Sequence, residues 1–261
     1  MVEIQGVLNA AREAAVVVMG VYRSECYETQ IKGDQSPVTT ADLAASVCIR
    51  RCLLQLTPDI PVLCEENTEV AVSKPDCFWC VDPVDGTKEF INKTGEFCIN
   101  IALIKNAIPV LGVVWWPVKQ CGYAASTVPC AAVFIDESGC QHNISTRRWP
   151  ADAAIQMLSR HHPNTCCLSD KSHGKQVRMG SALKGCFIAH GKADCYVRNG
   201  ETSWWDTAAF QCIVEAAGGV VLDINRNPLR YEWGETMINP NFIVLGDADQ
   251  FSSLQSKIIR R

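Results

Sequence analysis

The sequence predicts a layered α/β fold, on three observations. Segments of helical period alternate with short apolar runs of strand length along most of the chain. Apolar residues are 48% of the total and charged residues 20%, so a sizeable core can be buried and wholesale disorder is excluded. The length, 261 residues, suits one large domain or two modest halves. The polar stretch 139–148 is the candidate boundary. It separates an α+β half, 1–142, from an α/β half, 143–261.

Each element has its own signal. Ile4, Val7, Leu8, Ala11, Ala15, Val18 and Tyr22 recur at helical spacing over residues 4–22. Residues 33–37 break the pattern. Thr39 followed three residues later by Asp42 resembles a capping box, and the helix it opens runs to about residue 55. Strands are expected at 60–63, leading into Glu65-Glu66, and at 78–81, leading into Asp82. Residues 98–104 and 110–116 read as neighbouring strands, and 131–135 as a continuation of their sheet. Beyond the boundary, strands at 153–158, 195–197, 220–222 and 242–245 alternate with helices at 181–190 and 205–217. Gly218-Gly219 closes the last of these helices with a left-handed cap.

Composition and charge narrow the function. Lys plus Arg is 24 and Asp plus Glu is 28, a net charge of −4, which does not fit a protein that coats nucleic acid. A small anionic substrate would have to meet local cations or metal ions. The first residues show no basic segment followed by an apolar run, so no export signal is expected. The longest nearly apolar stretch, 107–118, holds two prolines and is far short of the roughly 20 residues of a membrane span. No integral membrane segment is therefore expected, and the 15 cysteines are read mostly as small buried residues in a reducing compartment, the cytoplasm. Cys77-Phe78-Trp79-Cys80 has C-x-x-C spacing, but it runs into an apolar strand and has no second pair to complete a zinc site. A bridge between adjacent Cys166 and Cys167 would be strained.

The most informative residues are Val81-Asp82-Pro83-Val84-Asp85-Gly86-Thr87. Two carboxylates three apart at a strand end repel each other unless a cation sits between them. Hard divalent ions with oxygen ligands are the usual answer. Gly86 lets backbone approach a ligand, and Gly86-Thr87-Lys88 can begin a helix whose free N–H groups face a phosphate. An Asp-rich turn capping a helix is the plain alternative. Glu65-Glu66 brings further carboxylates, and Trp205-Asp206-Thr207-Ala208-Ala209 places another at a helix start, where ordinary capping would also account for it.

The pattern Asp-Pro-x-Asp-Gly-Thr, with Glu-Glu upstream and Trp-Asp-x-Ala-Ala downstream, resembles the Mg²⁺-dependent, lithium-sensitive inositol monophosphatase superfamily. Thr87-Lys88-Glu89-Phe90-Ile91 favours its 3′(2′),5′-bisphosphate nucleotidase branch of the CysQ type. Further matches are Ser36 to Asp42, Pro61 to Glu66, Gly95-Glu96-Phe97, Asn100 to Ile104, Ser159-Arg160-His161 and Gly180 to Lys184, in order along nearly the whole chain. The resemblance implies an αβαβα sandwich of the sugar-phosphatase type. It implies that Glu65, Asp82, Asp85, Asp206 and the Val84 carbonyl hold two or three Mg²⁺ ions, with Li⁺ and Ca²⁺ as inhibitors. Thr87 would orient the attacking water, Asp42 would accept the Thr87 hydroxyl proton in a hydrogen bond, and Glu65 would join them in catalysis. Substrate contacts would come from Gly86, Thr87, Lys88, Ser159, His161 and Asp206.

Ser181, Lys184 and Arg198 match the positions that bind a second, uncleaved 5′-phosphate in the resembling branch, and a lysine with an arginine fork suits that ligand. A cap plus two solvated surface cations is the bland reading of the same residues. The implied substrate is adenosine 3′,5′-bisphosphate, cleaved at its 3′-phosphate, or its sulfated precursor. An inositol or other sugar phosphate is the nearer rival, and a catalytically silent phosphate-binding regulator the more distant one. Expected partners are the nucleotide alone, with no nucleic acid polymer, in a monomer or homodimer. Attachment to the cytoplasmic face of a bacterial inner membrane is compatible with the resemblance. Phe210 departs from it, standing where the family has glycine, and would crowd the helix packing or reshape the pocket floor. Trp204-Trp205 offers rings to a base, with Trp205 the better candidate for core. No G-x-G-x-x-G, P-loop or G-x-S-x-G motif is present to support a dehydrogenase, a P-loop enzyme or a serine hydrolase.

Overall fold

The computed structural model describes residues 2–24, 28–31, 37–68, 74–150, 153–161, 174–233 and 236–258. Ser36, His162 and Cys166-Cys167 lie outside them. The chain opens with α1 (Ile4–Ser24), a small antiparallel pair β1 (Thr29–Ile31) and β2 (Pro37–Thr39), and α2 (Thr40–Leu56). A seven-stranded sheet follows, built from β3 (Val62–Cys64), β4 (Cys77–Asp85), β5 (Cys98–Lys105), β6 (Ile108–Trp116), β7 (Cys121–Thr127), β8 (Cys130–Ile135) and β9 (Gln141–Asn143). Its strands lie in sequence order, and only β3 and β4 are parallel. The short helix α3 (Thr87–Ile91) leaves the end of β4.

The second sheet contains β10 (Ile155–Ser159), β11 (Lys175–Met179), β12 (Cys195–Arg198), β13 (Val220–Asp223) and β14 (Phe242–Leu245), in the order β11-β10-β12-β14-β13. Helices α4 (Leu183–Ala189), α5 (Trp204–Ala216) and α6 (Phe251–Ile258) connect or follow these strands.

Strand periodicity builds the layers. On β4, Trp79 and Val81 join the core of α1 and α2, whereas Phe78 and Cys80 join the core of α4 and α5. The second sheet repeats the logic. Tyr196, Val221, Phe242 and Val244 face the central helices, while Val197, Leu222, Ile243 and Leu245 pack with Phe251 and Leu254 of α6. The result is helix, sheet, helix, sheet, helix, as the resemblance implied. The same alternation places Cys77 and Cys80 on opposite faces, so the C-x-x-C spacing joins nothing, and both are free thiols. By length and mean hydropathy α1 would pass as a membrane span. In the fold its Val7, Leu8, Ala11, Ala14 and Val18 are fully buried in the core shared with α2 and the first sheet, which accounts for its apolar character.

Three expectations need correction, and one strand, β7, was not expected. The strand expected at 78–81 begins at Cys77 and continues through Asp82 to Asp85. A register shift between those residues absorbs Pro83, whose missing N–H costs no ladder bond at a bulge. β7 carries small residues and Gly122, a weak strand signal. Its partner Trp115 explains them, since a Cβ on Gly122 would lie 2.5 Å from the Trp115 ring. The helix expected from Ser181 begins at Leu183, with Ser181 itself left-handed at φ 52°. Trp204, not Trp205, is the core ring: it is 3% exposed, while Trp205 is half-buried.

Phe210 finds its space at α4. It is 3% exposed, its ring centroid is 6.3 Å from that of Phe242, and a Cβ on Gly185 would fall 2.6 Å from its Cγ. Gly185→Ala should therefore destabilise the chain by about 1–3 kcal/mol, the usual cost of overpacking. In a Phe210→Ala background the same change should cost close to nothing, because the opposing ring is gone. Urea unfolding of the four members of this cycle measures the coupling; equal costs in both backgrounds would show that the two residues do not compete for space.

Candidate active site

The carboxylates converge where β3, β4, α2 and α5 meet. Asp82 and Asp85 flank the bulge of β4, Glu65 follows β3, and Asp206 sits in the first turn of α5. Ligand-capable oxygens of Asp82, Asp85 and Asp206 all lie within 4.8 Å of one another. Asp82 and Asp206 are held by bonds within their own turns, and Asp85 by bonds from distant elements. The Val84 N–H donates to Asp82 Oδ1 at 3.0 Å, and the Ser203 N–H to Asp206 Oδ2 at 2.7 Å. Asp85 Oδ2 accepts from Asn100 Nδ2 at 3.0 Å and from the Ala182 N–H at 2.6 Å.

Burial and mutual repulsion act on all three. Burial, then the charges of Glu65, Asp85 and Asp206, pushes the Asp82 carboxyl well above its ordinary range. Burial, with Asp85 and Glu65, pushes Asp206 up to about 8, against the pull of the Ser203 N–H and Arg198. Asp85 is raised by burial and drawn back by Lys184, Asn100 and the Ala182 N–H.

Thr87 Oγ1 donates to Asp42 Oδ1 at 3.2 Å and also lies 3.3 Å from the Val84 carbonyl. The other Asp42 oxygen accepts from the Thr39 N–H at 2.8 Å and its hydroxyl at 2.5 Å, the capping box read from the sequence. Burial raises the Asp42 carboxyl, opposed chiefly by these Thr39 bonds. Gly86 stands at φ 95° before the first turn of α3, a conformation that favours glycine.

A second group lines the same cleft of about 280 Å³. Lys184 and Arg198 are each only 7% exposed, which excludes the solvated-cation reading. Lys184 Nζ donates to the Ser181 carbonyl and stands 5.2 Å from the Tyr196 ring centre. Arg198 donates to the Glu201 carbonyl at 2.7 Å and lies 3.5 Å from Ser159 Oγ. The Ser181 hydroxyl is buried without a nitrogen or oxygen partner. Lys88 is exposed at the rim, and His161 Nε2 lies 3.5 Å from Glu89 Oε1. All fourteen candidate residues are described. Twelve of them either line this cleft or belong to the carboxylate cluster, and the remaining two, Asp42 and the Val84 carbonyl, are joined to that group through Thr87.

Asn100 was not anticipated as part of the site. It is 1% exposed and ties Asp85 to the Trp205 carbonyl, at 3.2 Å, so it links β4 to α5. Its signal was available: one polar side chain inside the apolar run 98–104. Arg160 lies in the Ser159-Arg160-His161 motif. It makes a two-bond pair with Glu96, at 2.8 and 2.5 Å, and Glu96 in turn accepts from the Gly180 N–H.

The model of the inositol monophosphatase family matches residues 3–251. The chain belongs to that family. Among its relatives, the 3′(2′),5′-bisphosphate nucleotidase CysQ of Salmonella typhimurium strain LT2 is 40% identical over 247 residues, 92% of this chain and 98% of the relative. The protein of that name from Escherichia coli K12 is 39% identical, over 91% and 97%. The crystal structure of CysQ from Bacteroides thetaiotaomicron, described as a bacterial member of the family, superposes with a TM-score of 0.74 at 32% identity, over 93% and 96%. The extragenic suppressor protein SuhB of Bartonella henselae has the same fold, with a TM-score of 0.79 at 24% identity.

Inositol monophosphatase family members depend on Mg²⁺, and the carboxylate cluster fits that ion. Its donors are oxygen only, Asp82 is buried while Asp85 and Asp206 are half-buried at the cleft, and they repel in the absence of positive charge, which is the donor set of a hard divalent cation. Stability should report this. Raised carboxyl groups mean that the folded chain holds more protons than the unfolded one between the ordinary range, near 3.8, and about 8. Without divalent ions, stability should therefore fall as pH rises through that window. Mg²⁺ should raise the melting midpoint more at the alkaline end than at the acid end. Thermal scans in chelator and in Mg²⁺ across the window check both; a Mg²⁺ effect independent of pH would separate the ion from these carboxylates.

Proposed function

We propose that the chain is a Mg²⁺-dependent 3′(2′),5′-bisphosphate nucleotidase that hydrolyses the 3′-phosphate of adenosine 3′,5′-bisphosphate to give AMP and phosphate. The sulfated precursor, with a phosphosulfate at the 5′ position, would be handled by the same groups. One observation carries this reading. A carboxylate cluster and a buried cationic pair, Lys184 and Arg198, share one cleft. A monophosphate would engage only the first group. A bisphosphate has a use for both, and the CysQ relatives carry the matching name.

In this proposal Glu65, Asp82, Asp85, Asp206 and the Val84 carbonyl hold two or three Mg²⁺ ions. The ions supply positive charge to the phosphoryl oxygens and acidity to a water molecule. The chain's own groups do the positioning. The hydrogen bond to Asp42 occupies the Thr87 proton, so the Thr87 oxygen is left to accept from the attacking water and aim it. Glu65, which lines the same cleft, assists in catalysis. Gly86 and Thr87 N–H groups and Lys88 receive the phosphate being cleaved. Ser181, Lys184 and Arg198 hold the 5′-phosphate, with charge-assisted hydrogen bonds from the two cations. Ser159 and His161 line the path between, and Asp206 serves both metal and substrate. Net chemistry adds water across the P–O3′ bond. The cytoplasm is the proposed compartment, and Li⁺ and Ca²⁺ the proposed inhibitors.

Phosphate release from adenosine 3′,5′-bisphosphate and from inositol 1-phosphate, side by side in Mg²⁺ with and without Li⁺, tests the reading. A strong preference for the nucleotide is expected. Preference for inositol phosphate would keep the metal centre but remove the second phosphate site. Asp85→Asn should abolish turnover while the circular dichroism spectrum is kept; surviving activity would sink the metal assignment. Lys184→Ala should raise KM for the bisphosphate by about 10- to 100-fold, the scale of a lost charged hydrogen bond. Its effect on a monophosphate should be much smaller, and equal effects would remove its proposed role.

A further inference from the structure

On the far side of the first sheet from the central helices, α1 and α2 bring together three ligand-type groups that the proposed reaction does not use. Cys48 and Cys52 are one turn apart on α2, so their thiols share a face. Glu13 of α1 lies opposite. Its Oε2 is 3.5 Å from Cys52 Sγ, and one ligand atom from each of the three residues falls within 4.8 Å of the other two. Both cysteines are 8% exposed, at the edge of the core, while Glu13 is a surface residue.

We propose that Glu13, Cys48 and Cys52 form a binding site for a thiophilic divalent ion, Zn²⁺ in the cell, that clamps α1 to α2. Two thiolates and a carboxylate are three of the four donors that tetrahedral zinc takes, with water in the fourth place. Metal–ligand lengths of about 2.0–2.3 Å put such donors roughly 3.5–4 Å apart, so side-chain rotation alone closes the site. Sulfur sets its preference apart from that of the catalytic cluster, where oxygen donors favour hard ions. Arg51 Nη2 now neutralises Glu13 at 3.1 Å and lies 3.7 Å from Cys48 Sγ. Its side chain is 60% exposed and can swing into solvent when the ion takes its place. Each thiol releases one proton to solvent as its sulfur–metal bond forms, and nothing is oxidised.

Cadmium is the probe, because its bonds to thiolate, unlike those to carboxylate, absorb in the ultraviolet. The full chain, reduced with a phosphine and saturated with Mg²⁺ at its carboxylates, is titrated with Cd²⁺ after Cys26, Cys77, Cys130, Cys140, Cys166 and Cys167 are changed to serine. The absorbance should saturate at one equivalent, be displaced by Zn²⁺, and vanish in the Cys48→Ser, Cys52→Ser double variant. Absorbance of the same size in the double variant, or none in the parent, overturns the proposal. Glu13→Gln, on an exposed side chain, keeps the test alive should the double variant fail to fold. It should weaken Cd²⁺ binding at least about tenfold, and unchanged affinity overturns the three-ligand site.

Discussion

Like charges crowded together at one cleft are the constraint around which this molecule is arranged. Asp82, Asp85 and Asp206 hold oxygens within 4.8 Å of one another, and Asp82 is 1% exposed. Crowding of this kind is relieved when its members take up protons or a cation. The surrounding architecture keeps them from moving apart. β4 lies inside the first sheet between β3 and β5, which fixes the bulge that aims Asp82 and Asp85. Asn100, on the adjacent strand, grips Asp85 and the backbone of α5 with the same amide.

Helix capping and site chemistry turn out to be the same device. Asp42 and Asp206 occupy equivalent places in the first turns of α2 and α5, each with one oxygen accepting a backbone N–H from the residue before the helix. A carboxylate has a second oxygen. In Asp42 it accepts from Thr87. The cap pins the side chain to its helix and contributes about 1 kcal/mol to stability, so the site's geometry is inherited from elements that must form in any case. Reading Asp206 as a cap and reading it as part of the cleft were never competing explanations.

What the sequence made legible follows from how local the physics is. The run from Val81 to Thr87 concentrates carboxylates, proline and glycine in seven residues, and the structure places its charged members in one cleft or cluster. Alternation along residues 78–81 and 242–245 was visible as apolar strand signal, and the two-faced burial of those strands is what it describes. Features that depend on a distant partner were hidden. Gly122 weakens β7 until Trp115 is seen across from it, and Phe210 is a misfit until Gly185 is seen beneath it. Ser181 borders a helical segment in sequence, but its left-handed backbone and the hydrogen bond from Ala182 to Asp85 belong to the cleft. Resemblance supplied the roles of the residues; spacing alone left a metal site and an ordinary capped turn both open.

The central position of α5 also has a consequence for how the chain is made. The first sheet turns Phe78, Ile104, Val114, Tyr123 and Ala125 toward a core completed by Ala208, Ala209, Phe210, Cys212 and Ile213 of that helix. Synthesis proceeds from the N-terminus, so every strand of this sheet leaves the ribosome before the helix that covers it. A nascent chain that has reached Asn143 presents an apolar sheet face with nothing of its own to place on it. Folding is therefore concluded late, and the emerging sheet passes through a period in which it must be shielded from its neighbours.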